Sequence, residues 1–348
     1  MENFLDHHWQ VGRPELREKL DELLDLAGGA KSANAALYHE MLWSLIRLIQ
    51  EDVDRWDAKI TSHALLELEN TFTRLRQYRR RRKVTIFGSS RITSDASECR
   101  LAEDLGRRLA QNGFMVITGA GGGIMHAAHR GASKEQSLGF HITLPFEQSA
   151  NPIVAESSRL LKFRFFFTRK LFLAKEADAL VIFPGGFGTL DETFEVLTLV
   201  QTGKSRLIPI VLLDVPGGSY WLHWRQFVEA ELLSRGYISH HDLALVEQLQ
   251  TATEAFQRIS HFYRNFHSTR CVDGELRIRM LRALPQSAQV RLNREFSDIS
   301  SAEGFALVTA HPDEHDETEI RDLPRLAFRF AGGDYGRLRQ LIDLINAY

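Results

Sequence analysis

Cysteine is nearly absent: of 348 residues only Cys99 and Cys271 carry a thiol, with no CxxC pair and no histidine at ligand spacing. This argues against a structural zinc site and fits a reducing compartment. Long apolar runs are missing too. None approaches the roughly twenty residues that span a bilayer, and the opening MENFLDHHWQ has no basic region followed by an apolar one. The expectation is a cytoplasmic protein with no membrane partner. Nor is there an excess of one charge, since 43 Lys and Arg face 45 Asp and Glu for a net −2. That balance offers no global electrostatic case for nucleic acid. The run RRRRK at 79–83 closes a helix, where cations complement the dipole, and it has no interleaved aromatics, so it reads as a solvated or dimer-facing stretch.

Two nucleotide motifs are also missing. No GxxxxGK followed by Ser or Thr occurs, which excludes a P-loop triphosphatase. The glycines at 119, 121, 122 and 123 follow the second predicted strand rather than the first, with the wrong spacing and no strand-end carboxylate after them. These features argue against a dinucleotide fingerprint.

What is present is 44% hydrophobic residues, ample for a core, in three successive rhythms. Residues 1–82 carry only helical spacing, as in Leu16, Leu20, Leu23 and Leu24 before Gly28 and Gly29. From 83 to 270 strands alternate with helices. Strands are predicted at 84–87, 114–118, 138–144, 163–167, 179–183 and 207–213, and helices at 96–111, 124–132, 169–175, 221–233 and 254–266. The fold class this predicts is α/β: a Rossmann-like, doubly wound parallel sheet behind an N-terminal helical extension. Residues 271–348 read as a small α+β module, joined by the segment 267–273. Within it the loop 311–317 has metal-capable side chains but reads as solvated and acidic, and no metal is expected.

The organising stretch is 179–204, ALVIFPGGFGTLDETFEVLTLVQTGK. An apolar strand breaks at Pro184, passes Gly185, Gly186, Phe187 and Gly188, and resumes as a helix at Thr189. Glycines allow close backbone approach, and a helix start aims unpaired N–H groups and partial positive charge at the turn. The turn is predicted to hold a phosphate, beside Glu192 one turn into the helix. Upstream, Arg169 and Lys170 sit among Phe165, Phe166, Phe167, Leu171 and Phe172, a setting in which two cations need an anionic partner. The loops at 88–90, 119–123 and 185–189 leave strand ends and should converge on one site.

This combination resembles the LOG family of nucleoside 5′-monophosphate phosphoribohydrolases, proteins often labelled lysine decarboxylases. The match rests on PGGxGTxxE at 184–192, Arg169 and Lys170 upstream, the turn Gly88-Ser89-Ser90, and a glycine turn with Gly122 leading to Met125. It covers about 83–266, and the phrase 183–204 looks like the larger bacterial members. The resemblance implies Arg169 and Glu192 as the catalytic pair. It further implies substrate contacts from Gly88, Ser89, Gly122, Met125, Glu147, Lys170, the turn Gly185, Gly186, Phe187, Gly188, Thr189, Leu190 and Asp191, and Thr198. The implied substrate is AMP or a cytokinin riboside monophosphate, without cofactor. A homodimer is also implied, with the stripe Phe194, Leu197, Val200 near its interface. A nucleotide-binding sensor on the same fold is the alternative.

Overall fold

The computed structural model describes residues 14–144, 149–301, 304–314 and 318–348. The chain divides into two compact units, Met1–Glu69 and Asn70–Tyr348. In the first, α1 (Pro14–Leu26) and α2 (Ala35–Gln50) bury Leu20, Leu24 and Trp43 against one another. α3 (Arg55–Leu75), whose last residues from Asn70 on belong to the second unit, begins on Asp54, whose Oδ1 accepts from the N–H groups of Trp56 and Asp57.

The second unit is built on seven parallel strands: β1 (Lys83–Phe87), β2 (Met115–Thr118), β3 (Ser137–Ile142), β4 (Leu160–Phe163), β5 (Ala179–Ile182), β6 (Ile210–Leu213) and β7 (Val246–Leu249), in the order β4-β3-β2-β1-β5-β6-β7. β1, β2, β5 and β6 are buried along their whole length, as expected of a sheet covered on both faces. On one face α4 (Ser97–Gln111), α5 (Ile124–Ala132) and a later helix, α9 (Ala252–Phe262), share a core with Val84, Ile86, Val181 and Val211. On the other, α6 (Phe166–Lys175) sets Phe172 against Phe163 and Phe72, with ring centroids 5.9 and 5.2 Å away. Along the chain, α7 (Phe187–Gln201) follows β5, and α8 (Tyr220–Phe227) follows β6.

From β1 the chain winds outward through β2, β3 and β4, then returns to β5 on the other side of β1. The switch point therefore lies between the carboxyl ends of β1 and β5, where open α/β sheets receive ligands. In the basic run, Arg80 pairs with Glu319, Arg81 donates to Gln136, and the Arg82 guanidinium lies 3.6 Å over the ring of Tyr263. Three of its cations thus have partners inside the fold.

Several expectations need correction. The aromatic run at 163–167 is not a strand: β4 ends at Phe163, Phe165 caps α6, and Phe166 opens it. The predicted helix 221–233 is an α-helix to Phe227 continued by a π-helical segment, Val228–Leu233. β7, with two apolar residues in four, was too weak a pattern to see. The supposed joint at 267–273 is itself a strand, β8 (Phe266–Val272), paired with β9 (Glu275–Met280). Asp273 and Gly274 connect them with φ of +52° and +77°, the left-handed pair that a two-residue type I′ hairpin requires. With α10 (Gln286–Glu295), β10 (Ala306–Val308), β11 (Arg325–Phe328) and α11 (Tyr335–Asn346), this makes an antiparallel sheet β10-β11-β9-β8 with two helices.

Glu314, read as solvated, is wholly buried between Arg279 and Arg325. Against the raising effect of burial, the His311 N–H and these two guanidiniums hold its carboxyl down to about 2. No helix among the described residues is long and apolar enough to cross a membrane.

Candidate active site

The loops leaving β1, β2 and β5 meet around Ser89. Its N–H donates to Pro184 O and its carbonyl accepts from Ile124 N, both at 3.1 Å. Packing there leaves no room for side chains. A Cβ on Gly185 would stand 2.2 Å from Thr189 Oγ1, and one on Gly123, at φ +57°, would stand 2.2 Å from Ser89 O.

The result is an open cleft of about 700 Å³ at the switch point. Gly88, Ser89, Ser90 and Arg91 line it from the first loop, and Gly119 and Met125 from the second. The third contributes Gly185, Gly186, Phe187, Gly188, Thr189, Leu190 and Glu192, and α6 adds Arg169 and Leu173. α7 starts at Phe187, two residues earlier than expected, with Gly186 as its cap. Gly188 and Thr189 therefore lie in the first turn, where N–H groups have no partner within the helix.

Arg169 Nη2 lies 3.1 Å from Glu192 Oε1 on the cleft wall. Burial pushes the Glu192 carboxyl up and Arg169 offsets that only in part. Burial likewise pulls the Arg169 guanidinium down against the attraction of Glu192. The guanidinium lies 5.1 Å from the centre of the Phe166 ring, and its buried Nε has no hydrogen-bond partner. Glu192 Oε2 is turned toward the glycine turn, 3.8 Å from where a Cβ on Gly188 would be.

Three residues of the sequence-based site lie elsewhere. Lys170, Asp191 and Thr198 share a shallow hollow on the outer side of α7 with Phe194, Glu195 and Leu199. Lys170 Nζ lies 2.8 Å from Glu195 and 3.0 Å from Asp191, and these bonds hold it above the ordinary lysine range despite partial burial. Gly122 does not line the cleft, and a Cβ there would stand 3.2 Å from Ser90 O. Glu147 falls outside the described residues. In the stripe expected near a dimer interface, Val200 is fully buried in the core, which leaves only Phe194 and Leu197 with accessible surface.

Sequence reasoning missed the polar residues behind the glycine loop. Ala120 holds φ +59°, with its N–H on Thr118 Oγ1 at 2.9 Å. Asn151 donates its backbone N–H to Ala120 O at 2.8 Å and its amide to Gly121 O and to His129 Nδ1, both at 3.2 Å. His129 Nε2 then donates to Leu138 O at 3.2 Å. Complete burial pushes this imidazole down to about 4, so it is neutral. None of these residues has a local sequence signature.

A separate group, Asp273, His311 and Asp313, places three possible metal-ligand atoms within 4.8 Å of one another. His311 Nδ1 already accepts from the N–H of Asp313 at 3.2 Å, and both aspartates are exposed.

Fold and cleft together define a Rossmann-like α/β protein with an open cleft at the carboxyl ends of the central strands. Residues 123–259 match the family model described as possible lysine decarboxylase. The chain is 27% identical over 188 residues to the cytokinin riboside 5′-monophosphate phosphoribohydrolase LOG of Oryza sativa subsp. japonica, covering 52% of this chain and 74% of that one. It is 26% identical over 191 residues to LOG3 of Arabidopsis thaliana, covering 52% and 83% respectively. A solved structural-genomics target, TM1055, is 29% identical with a TM-score of 0.38, covering 51% of this chain and 98% of that chain. Over about half its length, within the α/β domain, the chain is thus similar to proteins named as LOG phosphoribohydrolases.

Proposed function

We propose that this protein hydrolyses the N-glycosidic bond of a nucleoside 5′-monophosphate, AMP or a cytokinin riboside monophosphate, to free base and ribose 5-phosphate. The observation that carries the reading is the Arg169–Glu192 pair, at 3.1 Å, set in one cleft with a glycine turn at a helix start. The phosphate lies over Gly185, Gly186, Gly188 and Thr189, where backbone N–H groups and the helix dipole favour an anion. Cleavage passes through an oxocarbenium-like state, which the Glu192 carboxylate stabilises while orienting water. Arg169 fixes the substrate from the cleft wall.

The lysine decarboxylase description calls for pyridoxal phosphate on a Schiff-base lysine. The residues present do not fit that group. No lysine lines the cleft among the described residues, and Lys170 is tied to Asp191 and Glu195 on the outer side of α7.

We also propose a cytoplasmic homodimer of three modules, 1–82, 83–270 and 271–348. The cleft margin exposes Phe187 at 94%, with Phe166, Phe167 and Leu171 about half exposed nearby in sequence or on α6, apolar surface that a second copy would cover. Lys170, Asp191 and Thr198 line the separate hollow beside α7 rather than the cleft. Incubating the protein with a panel of nucleoside monophosphates and assaying ribose 5-phosphate tests the activity directly. No release from any of them, by folded protein, overturns the proposal.

A further inference from the structure

We propose that Tyr220 is a positioning residue that sets the anion-binding face of the glycine turn. The inference rests on reading the cleft as a nucleoside monophosphate site. In a trans peptide the C=O of one residue points opposite to the N–H of the next, so a group that fixes the carbonyl also aims the amide. Tyr220 Oη donates to Gly185 O at 2.7 Å. The N–H of Gly186 is thereby turned away from Tyr220. One peptide earlier, Ser89 N–H donates to Pro184 O at 3.1 Å and turns the N–H of Gly185 away from Ser89. Two successive peptide planes are thus clamped from outside the turn, ahead of the free N–H groups of the first turn of α7.

Glycine makes such clamps necessary. Gly185 and Gly186 have no Cβ to restrict their dihedrals, and a Cβ on Gly186 would meet nothing within 4 Å. Left to itself, the plane between them has little reason to prefer one orientation. Tyr220 is in turn well anchored. Its N–H donates to Asp214 Oδ2 at 3.2 Å, while Asp214 Oδ1 accepts from Val215 N at 2.8 Å. Asp214, at the end of β6, is 6% exposed, and a Cβ on Gly218 would stand 2.3 Å from its carboxylate. The Tyr220 ring packs edge-on against Trp221 with centroids 4.8 Å apart. Tyr220 and Asp214 do not line the cleft themselves, so they act through the turn.

Tyr220→Phe keeps the ring and removes the hydroxyl. Calorimetry with ribose 5-phosphate and with inorganic phosphate, and kinetics on AMP and adenosine, are compared for wild type and variant. The loss of one hydrogen bond that orients a donor is expected to weaken ribose 5-phosphate binding and kcat/KM on AMP by about ten-fold. The loss falls mainly on KM, leaving any turnover of adenosine and the melting temperature nearly unchanged. Wild-type affinity in the variant overturns the clamp and leaves the monophosphate reading standing. Equal losses on AMP and adenosine also overturn it, since a general structural defect would act that way. Failure of the wild type to bind ribose 5-phosphate removes the monophosphate reading and the clamp with it.

Discussion

Arg169 Nη2 stands 3.1 Å from Glu192 Oε1, and each side chain keeps only 11% of its surface exposed. Burial raises a carboxyl so placed, and its cationic neighbour offsets that only in part. Replacing Glu192 with Gln preserves shape and removes the charge that the proposed mechanism uses. Turnover of AMP is expected to fall by about 10²–10³ with binding retained. Arg169→Ala should weaken binding as well as rate, since it removes a substrate contact and leaves Glu192 buried without its cation. Steady-state kinetics and equilibrium binding on both variants check this. Normal turnover by Glu192→Gln would make the residue only part of a helix start.

The same pair sets a pH dependence. Burial raises the Glu192 carboxyl above its ordinary value of 4.5, with Arg169 opposing. If the ionised form is the active one, kcat/KM falls as pH drops through that raised value. The acid limb should therefore lie above 4.5, and Glu192→Gln should abolish it. A pH profile with no acid limb near or above the ordinary carboxylate range would remove the assignment.

A cradle that depends on phosphate should also discriminate by it. AMP is expected to be cleaved at least about a hundred-fold more efficiently than adenosine, from the charge-assisted hydrogen bonds that the missing phosphate would have made. Competition by ribose 5-phosphate but not by ribose would accompany this. Equal turnover of the two substrates contradicts the cradle.

His129 links stability to pH. It is neutral in the fold, with its imidazole pushed down to about 4 from an ordinary 6.5 by burial. The unfolded chain takes up the proton first, so stability is lost as pH falls from 6.5 toward 4. The loss is on the order of 3 kcal/mol at the lower end of that window. Chemical denaturation at several pH values measures it, and His129→Gln should flatten that part of the curve.

At the chain's end, Asn346 accepts from the buried N–H groups of Asn265 and Phe266 and donates to Phe262 O. Arg258 reaches Asp343 with two bonds of 2.8 Å, and Arg339 reaches Glu247 at 3.1 Å. α11 is therefore stitched to β7 and α9 of the parallel-sheet layer. Asn346→Ala leaves two buried donors unpaired and is expected to cost about 2–4 kcal/mol. Denaturation should register that loss while kcat stays at the wild-type value.

Much of this was legible in one dimension, for a local reason. Strand and helix repeats report which residues face a core, so the alternation after residue 83 announced a doubly wound sheet before any contact was known. The glycine turn after β5 was equally plain, because a backbone that must approach a ligand tolerates few residue types. The aromatic run before Arg169 misled, since burial and β-propensity favour the same side chains. The hairpin at Asp273 and Gly274 had its signal in the sequence, but a shift in composition drew attention away from it.

By itself the sequence determined most of the strand and helix alternation, the turn, and the candidacy of Arg169 and Glu192. Only the tertiary structure decided which candidates share a space. Successive helical residues point about 100° apart, so Glu192 enters the cleft while Asp191 beside it and Thr198 further along face outward. Val200 went to the core on the same geometry. Tyr220 found Gly185 from 35 positions away, and Asn151 found the loop at Ala120 from the far side of β3. Such pairings depend on where the sheet brings strand ends together, and no repeat or spacing along the chain encodes them.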